Sequence, residues 1–306
     1  MFTYTIIIPH RNIPKLLQRC LDSIPHRDDL HIIVVDDNSD PNKVDFEHFP
    51  GYDRNDVELI FTKEGKGAGY ARNVGLEHAN SKKILFADAD DYFNYCLNDM
   101  LDKYKADTTD IVFFNVCCLD SEYYTTDSKR FEYFTWYIKH YSKNPQKYEL
   151  RLKYEFGAPW CKMINKSLID EHHIRFDECS VCNDTTFSYL TGYYSKTIMV
   201  DKHAIYCITY RPGSLTYIVD EKNTLTRMEV QGRREKFLKD VVGYDIVLGI
   251  HYTILVELKK SKNKELYKKC IDVLVSKGLN KKEIERKVLR RILGEKKAKI
   301  KKFLHF

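Results

Sequence analysis

Short apolar runs alternate with stretches at helical spacing through the first 115 positions. Tyr4–Ile8 is an apolar run closed by Pro9, after which Ile13, Leu16, Leu17, Cys20, Leu21 and Ile24 recur every three or four residues. A second run, His31–Val35, ends in Asp36-Asp37-Asn38-Ser39-Asp40, and a third covers Val57–Thr62. Gly67–His78 reads as a helix. Ile84–Ala87 reads as a buried strand ending in Asp88-Ala89-Asp90, with Asp91 beside it, and Asp110–Phe114 as a fifth strand. Strands separated by single helices predict βαβ units and a mostly parallel sheet. The polar clusters after these strands would gather at the edge where such sheets hold ligands.

From about 120 to 220 the pattern is irregular and aromatic. Tyr123, Tyr124, Phe131, Tyr133, Phe134, Trp136, Tyr137 and Tyr141 read as core or helix-packing residues, with an acceptor groove as the alternative for some. Beyond 224 the chain reads as helical and basic. Val241–Val256 comes nearest to a membrane span, but Asp245 and His251 interrupt it. Val242, Ile246, Gly249, Ile250 and Thr253 instead predict one face of a soluble helix. The N-terminus has no basic region before an apolar stretch and no small-residue cleavage site, so no signal peptide is expected.

Charge sharpens this picture. The chain of 306 residues carries +6, yet residues 281–306 hold eleven Lys/Arg against three Glu, leaving the remainder near −2. Leu289, Ile292, Leu293, Ile300, Phe303, Leu304 and Phe306 accompany that basicity. Such a segment suits an anionic membrane surface, the alternative being a solvated helix. With no nucleic-acid module and no basic main domain, nucleic acid is not an expected partner. The nine cysteines are odd in number and scattered, which is not a disulfide framework. Cys179-Ser180-Val181-Cys182 has zinc-like or redox-like spacing, but neither a second pair nor a matching His-His spacing accompanies it. Reduced thiols in a cytoplasmic protein are expected.

Asp88, Asp90 and Asp91 are the candidate chemistry. Carboxylates crowded at a strand end repel one another unless a cation intervenes. Mg²⁺ or Mn²⁺, carrying a diphosphate, prefers such oxygen ligands. The plain alternative is a polar turn.

Four islands fall in order: Thr5-Ile-Ile-Ile-Pro-His-Arg-Asn12, Ile33-Val-Val-Asp-Asp-Asn-Ser39, Gly65-Lys-Gly-Ala-Gly-Tyr-Ala-Arg-Asn-Val-Gly75 and Phe86-Ala-Asp-Ala-Asp-Asp91. Together they resemble the GT-A fold of family 2 glycosyltransferases, an inverting, nucleotide-sugar-dependent class. The resemblance continues through Ala158–Asn165, Ile174–Glu178, Asn183-Asp184 and Tyr210–Ser214. It implies an α/β, Rossmann-like GT-A domain over 1–220, with a nucleotide-binding half (1–115), an acceptor half (116–220) and a helical basic extension (221–306).

The implied donor pocket is Pro9, Arg11, Asp37, Gly67, Arg72, Asp88, Ala89 and Asp90. Asp37 would receive the base or ribose, and Arg72 would meet phosphate, the alternative being a salt bridge to a nearby carboxylate. Gly65, Gly67 and Gly69 permit close backbone approach. Asp90 would contact Mn²⁺ or Mg²⁺, with Asp88 on the ribose or in the metal shell. Asp184 matches the family's catalytic base, with Asp177 and Glu178 as fallbacks. Two departures stand out. Asn183 replaces the usual glutamate, which removes a repulsive neighbour and is expected to lower the Asp184 pKa. The first turn, Pro9-His10-Arg11-Asn12, lacks the usual stacking tyrosine, leaving a guanidinium or imidazole plane to stack. Trp160 and Lys162 match the acceptor-side segment, with a core role as the alternative for Trp160, while Arg211 and Ser214 would close over the diphosphate. The processive motif Gln-x-x-Arg-Trp is absent, as Gln231-Gly232-Arg233-Arg234 lacks the tryptophan.

The expected reaction is therefore metal-dependent, inverting transfer of one hexose or N-acetylhexosamine. The donor would be a nucleoside-diphosphate sugar, expected to be UDP-linked. The acceptor would be a glycan or lipid-linked oligosaccharide in bacterial surface polysaccharide synthesis. The expected location is cytoplasmic, peripheral at the inner membrane. A sugar-phosphate nucleotidyltransferase and a catalytically silent glycan-assembly subunit are the alternatives.

Overall fold

The computed structural model describes residues 2–121, 131–210, 220–246 and 249–303, with side chains to residue 294 in the last helix. Arg211, Ser214, Tyr123, Tyr124, Leu304 and Phe306 lie outside the described residues, as do the side chains of Ile300 and Phe303. The chain divides into two compact units, within 1–214 and 215–306.

The first unit is built on one eight-stranded sheet. Its strands are β1 (Phe2–His10), β2 (Leu30–Asp37), β3 (Val57–Thr62), β4 (Ser81–Phe86), β5 (Tyr92–Phe93), β6 (Ile111–Asp120), β7 (Lys162–Asn165) and β8 (Ile198–Tyr210), in the order β3-β2-β1-β4-β7-β6-β8-β5. β1 to β4 are parallel, as are β6 and β8, whereas β7 runs antiparallel to both neighbours and β5 antiparallel to β8. This is an α/β fold with a mostly parallel sheet. The central strands are covered on both faces, so Ile6, Ile7, Ile8, Ile32, Ile33 and Ile84 are fully buried. Helices α1 (Pro14–Asp22), α2 (Ala68–His78), α3 (Leu97–Lys103), α4 (Glu132–His140), α5 (Pro145–Tyr154), α6 (Lys166–Glu171) and α7 (Thr185–Tyr194) complete it.

Three differences from the sequence reading have physical causes. β1 runs through Pro9 instead of ending there. Its Ile7 carbonyl accepts from Ala87 on the β4 side, so Pro9, two residues on, faces the same side beyond the last β4 pairing and loses no bond. β2 runs on to Asp37 because Asp36 and Asp37 still pair with Phe61 and Thr62 of β3. Finally, the stretch read as irregular holds β7, the thirteen-residue β8 and four helices. β8 finds its main partner in β6, far away in sequence and across a register shift at Asn115, so local periodicity does not announce it.

The second unit is helical: α8 (Glu221–Phe237), α9 (Ile250–Lys260), α10 (Lys264–Ser276) and α11 (Lys281–Phe303). The continuous helix expected over Val241–Val256 is not formed. A π-helical turn, Leu238–Val242, ends at Gly243 in the left-handed region (φ 72°), and α9 starts only at Ile250. Its buried face is His251, Tyr252, Leu255 and Val256, while Ile250 stays exposed. The core joins Met228, Leu255, Ile271, Leu274, Ile284 and Val288. Buried among the helices, Glu235 accepts from Tyr252 Oη (2.7 Å) and Lys287 Nζ (2.8 Å) and pairs with His251 Nε2 at 2.7 Å. One acid thus ties α8, α9 and α11. Among the described residues no helix is long and apolar enough to cross a membrane.

Candidate active site

Two acidic strand ends stand at the carboxyl edge of the sheet. In β2, consecutive side chains point to opposite faces, so Asp36 and Asp37 serve different partners. Asp36 accepts from Ser39 N (2.9 Å) and Ser39 Oγ (2.6 Å) and pairs with His10 Nδ1 at 2.7 Å. Ile13 N donates to His10 Nε2, which assigns the proton to Nδ1. Burial pushes the Asp36 carboxyl up, but these bonds outweigh it and leave it below the usual range. Asp37 accepts from Gly67 N (2.6 Å), Lys66 N (3.1 Å) and Thr62 Oγ1 (3.3 Å), so it closes the glycine loop. At Gly67 φ is 96°, a conformation that favours glycine, and α2 begins at the next residue. Of the two first-turn planes considered for stacking, His10 is buried, whereas Arg11 is exposed beside Gly65.

The β4 end is built differently. Ala87 and Ala89 are buried, while Asp88 and Asp90 remain partly exposed. Asp91 turns inward and accepts from Thr209 N (2.7 Å) and Tyr206 Oη (3.0 Å). Burial, then the charges of Asp88 and Asp90, push its carboxyl well up. Tyr206 Oη also accepts from Asp88 N at 2.8 Å, and the Asp90 carbonyl takes Arg19 Nη2 and Thr209 Oγ1, each at 2.5 Å. Arg19, Tyr206 and Thr209 therefore hold the acidic turn, and sequence reasoning missed all three. Tyr206 and Thr209 lie in the stretch read as irregular, and Arg19 on a helix with no motif. Trp160 is buried and stacks 5.7 Å from Tyr206, which makes it core; Lys162 is also buried, donating to the Phe156 carbonyl.

Arg72 joins this end to the segment before α7. Its Nη2 donates to Asp88 Oδ1 (2.5 Å) and its Nη1 to Asn183 Oδ1 (2.8 Å), while its buried Nε finds no partner. The α2 start is sewn to the same segment. Asn73 exchanges two hydrogen bonds with the Phe176 backbone, and a Cβ on Gly69 would meet the Asp177 carbonyl at 2.1 Å. Asp184 follows at the N-cap position of α7 without capping it. Burial pushes its carboxyl up, Arg72 opposes and Asp88 adds to the rise. The net direction is upward from the ordinary value, because burial dominates. Of the fallbacks, Asp177 accepts from Thr186 Oγ1 and Glu178 lies near Asn73. Two cavities, of about 430 and 580 Å³, lie elsewhere, one around Ser81 at the amino end of β4 and the other around Ser23 and Tyr95.

A divalent cation fits this acidic turn in charge, since repulsion from Asp88 and Asp90 already falls on Asp91. Among the described residues no group of three His, Cys, Asp or Glu side chains is disposed to hold one. Asp88 and Asp90 would leave the remaining positions to phosphate oxygens and water, the usual manner of Mg²⁺.

The model of glycosyl transferase family 2 matches residues 5–172, more than half of the chain. The chain belongs to this family. This glycosyltransferase is 23% identical to EpsH of Bacillus subtilis (strain 168), covering 90% of this chain and 86% of that one. It is 26% identical to glycosyltransferase GlyA of Streptococcus pneumoniae serotype 4, covering 79% of this chain but 35% of that one. Residues 1–349 of Staphylococcus aureus TarS, in complex with UDP-GlcNAc, have a similar structure. The TM-score is 0.64 at 18% identity, over 90% of this chain and 80% of that one. The Pyrobaculum calidifontis mannosyltransferase PcManGT, in complex with GDP-Man and Mn²⁺, gives 0.53 at 16% over 89% and 74%. These likenesses establish the GT-A fold.

Proposed function

We propose that this glycosyltransferase moves a single sugar from a UDP-sugar, with inversion, to a glycan or lipid-linked oligosaccharide hydroxyl in surface polysaccharide synthesis. The observation that carries the reading is the Arg72 bridge. One guanidinium holds Asp88 of the acidic turn and Asn183, the neighbour of Asp184, so the donor-side acid and the segment that carries the base meet on it. Asp184 is the base that takes the acceptor proton; its upward shift suits that task better than a solvated aspartate would. Asp90 and Asp88 would hold Mn²⁺ or Mg²⁺. When bound, the cation supplies Lewis-acid stabilisation of charge on the departing diphosphate. Arg72 adds fixed positive charge there. Asp37, which keeps the glycine loop in position, would receive the base or ribose, and Pro9, Arg11, Gly67 and Ala89 complete the nucleotide pocket.

Residues 1–115 would form the donor half and 116–220 the acceptor half, with 221–306 as an extension that keeps the enzyme peripheral at the inner membrane. The UDP reading draws support from TarS in complex with UDP-GlcNAc. The acceptor class draws support from relatives named teichoic acid poly(glycerol phosphate) polymerase and poly(ribitol-phosphate) β-N-acetylglucosaminyltransferase. Of these the chain spans 23% and 17%.

Thermal shift against UDP-, GDP- and dTDP-sugars, with and without Mn²⁺, tests the donor site. Mass spectrometry with candidate acceptors then tests transfer. Stabilisation by UDP-sugars only with Mn²⁺, followed by a one-sugar mass gain, is expected. Pyrophosphate release from NTP and sugar-1-phosphate would instead make it a nucleotidyltransferase. Donor binding without turnover on any acceptor would make it a silent subunit.

A further inference from the structure

The basic C-terminal segment divides into two unlike faces. On one, Ile284 and Val288 are buried and Ile292 packs beside them. The cations nearest that face are used internally. Lys287 Nζ pairs with Glu235 (2.8 Å) and Asp245 (2.6 Å), and Arg291 Nη1 donates to the Gly249 carbonyl (3.3 Å) and Thr253 Oγ1 (3.1 Å).

The other face runs Lys282, Arg286, Leu289, Leu293, spaced four, three and four residues apart, which makes one stripe of a helix. Arg290 flanks it. Leu289 is 51% exposed and Leu293 49%. Lys282, Arg286 and Arg290 are exposed and, among the described residues, make no ion pair. Exposed Glu285 borders the stripe and removes one charge from it.

We propose that this α11 stripe docks the chain on an anionic lipid surface, with Leu289 and Leu293 entering the acyl boundary and Lys282, Arg286 and Arg290 meeting lipid phosphates. Three unpaired cations around two exposed leucines match such a surface in both charge and polarity. A second copy would bring the same cations against them, and like charges repel. Two leucines are also little for a protein interface, which buries about 800 Å² per partner. The proposal rests on the peripheral-membrane part of the proposed function, names the surface that would carry it, and needs nothing of sugar transfer.

The test is co-sedimentation of the full chain with phosphatidylcholine vesicles, with and without phosphatidylglycerol, at low and high salt. Binding to phosphatidylglycerol vesicles alone, weakened by salt, is expected. The triple variant Lys282→Glu/Arg286→Glu/Arg290→Glu should lower partitioning by roughly a hundredfold or more, and Leu289→Glu/Leu293→Glu by about tenfold. All five positions are exposed, so both variants should keep the wild-type melting temperature. If one does not, the other decides. Absence of wild-type binding, equal binding to both vesicle types, or binding that neither substitution set changes would overturn the proposal. So would a vesicle-independent dimer that these substitutions dissolve. UDP-sugar thermal shifts on the same variants remain a separate readout, so failure here leaves the transfer reading intact.

Discussion

The β2 and β4 strand ends carry similar motifs, Asp36-Asp37 and Asp88-Ala89-Asp90-Asp91, and come to opposite electrostatic conditions. At β2 each acid is met by the protein's own donors. His10 and Ser39 hold Asp36, and the Lys66 and Gly67 amides with Thr62 hold Asp37. At β4 the partners are divided between backbone and carboxylates: Tyr206 meets the Asp88 amide, and Arg19 and Thr209 the Asp90 carbonyl, while Arg72 holds the Asp88 carboxylate and Thr209 N and Tyr206 Oη the Asp91 carboxylate. Burial and repulsion from Asp88 and Asp90 raise Asp91. An acid satisfied inside the fold, as Asp36 is, serves structure. An acidic turn in which Asp88 and Asp90, even with Arg72 beside Asp88, still raise Asp91 would suit an external cation. Adjacent aspartates in a sequence do not reveal which kind they are; their donors do.

The largest effects should separate chemistry from architecture at the β4 end. Asp184→Asn should lower turnover about 10³-fold while keeping Mn²⁺-dependent thermal stabilisation by donor, since only the base is lost. Asp90→Ala should lower turnover at least about 10²-fold and abolish that stabilisation too. Near-wild-type transfer by Asp90→Ala at any Mn²⁺ concentration would break the comparison, because the β4 acids would then be as structural as Asp36.

Glu235 offers a third buried acid, satisfied like Asp36 but in the helical unit. Burial opposes its charge, yet His251 and Lys287 hold its pKa down to about 2. A lowered pKa contributes stability that is present above the ordinary 4.5 and lost as pH falls toward 2. Glu235→Gln should cost about 3 kcal/mol at neutral pH, with the gap closing in acid. Urea unfolding at pH 7 and pH 3 measures this, and an equal cost at both would remove Glu235 from the satisfied class. Asp36→Asn should cost about 2 kcal/mol with little change in turnover per folded molecule. For Asp36, too, the loss should shrink as pH falls below the carboxylate range. A large loss of turnover with no loss of stability would make Asp36 functional and blur the contrast.

Much of the first half was legible because its elements are local. The βαβ order, the glycine loop and the acidic turn each announce themselves within a dozen residues. The legible part stops where partners are remote. β8 reads as irregular because β6 defines it, and Tyr206 within it goes unmarked because its hydroxyl partners, Asp88 and Asp91, lie far back in the chain. The upward direction at Asp184 was equally hidden. The missing glutamate is visible in sequence, but the burial that dominates is not. Around Gly243 a helical hydrophobic pattern was present and the helix was not, because one residue in the left-handed region ends a turn whatever follows it.

The smallest effect isolates the repulsion itself. Asp91 has its folded pKa raised above the ordinary 3.8, so the fold favours its protonated form. The corresponding stability is fully present below 3.8 and lost as pH rises through the folded value. In metal-free buffer the melting temperature should therefore carry a downward component with rising pH across that window. Asp91→Asn, which carries no such proton, should lack this component and melt a few degrees above the wild type at its upper end. Divalent cation should narrow that gap if Asp88 and Asp90 receive it, because neutralising them removes one cause of the shift. A gap unchanged by Mn²⁺ in the wild type, yet still present in Asp88→Asn/Asp90→Asn, would assign the rise at Asp91 to burial alone. The β4 end would then differ from β2 in hydrogen bonding but not in repulsion.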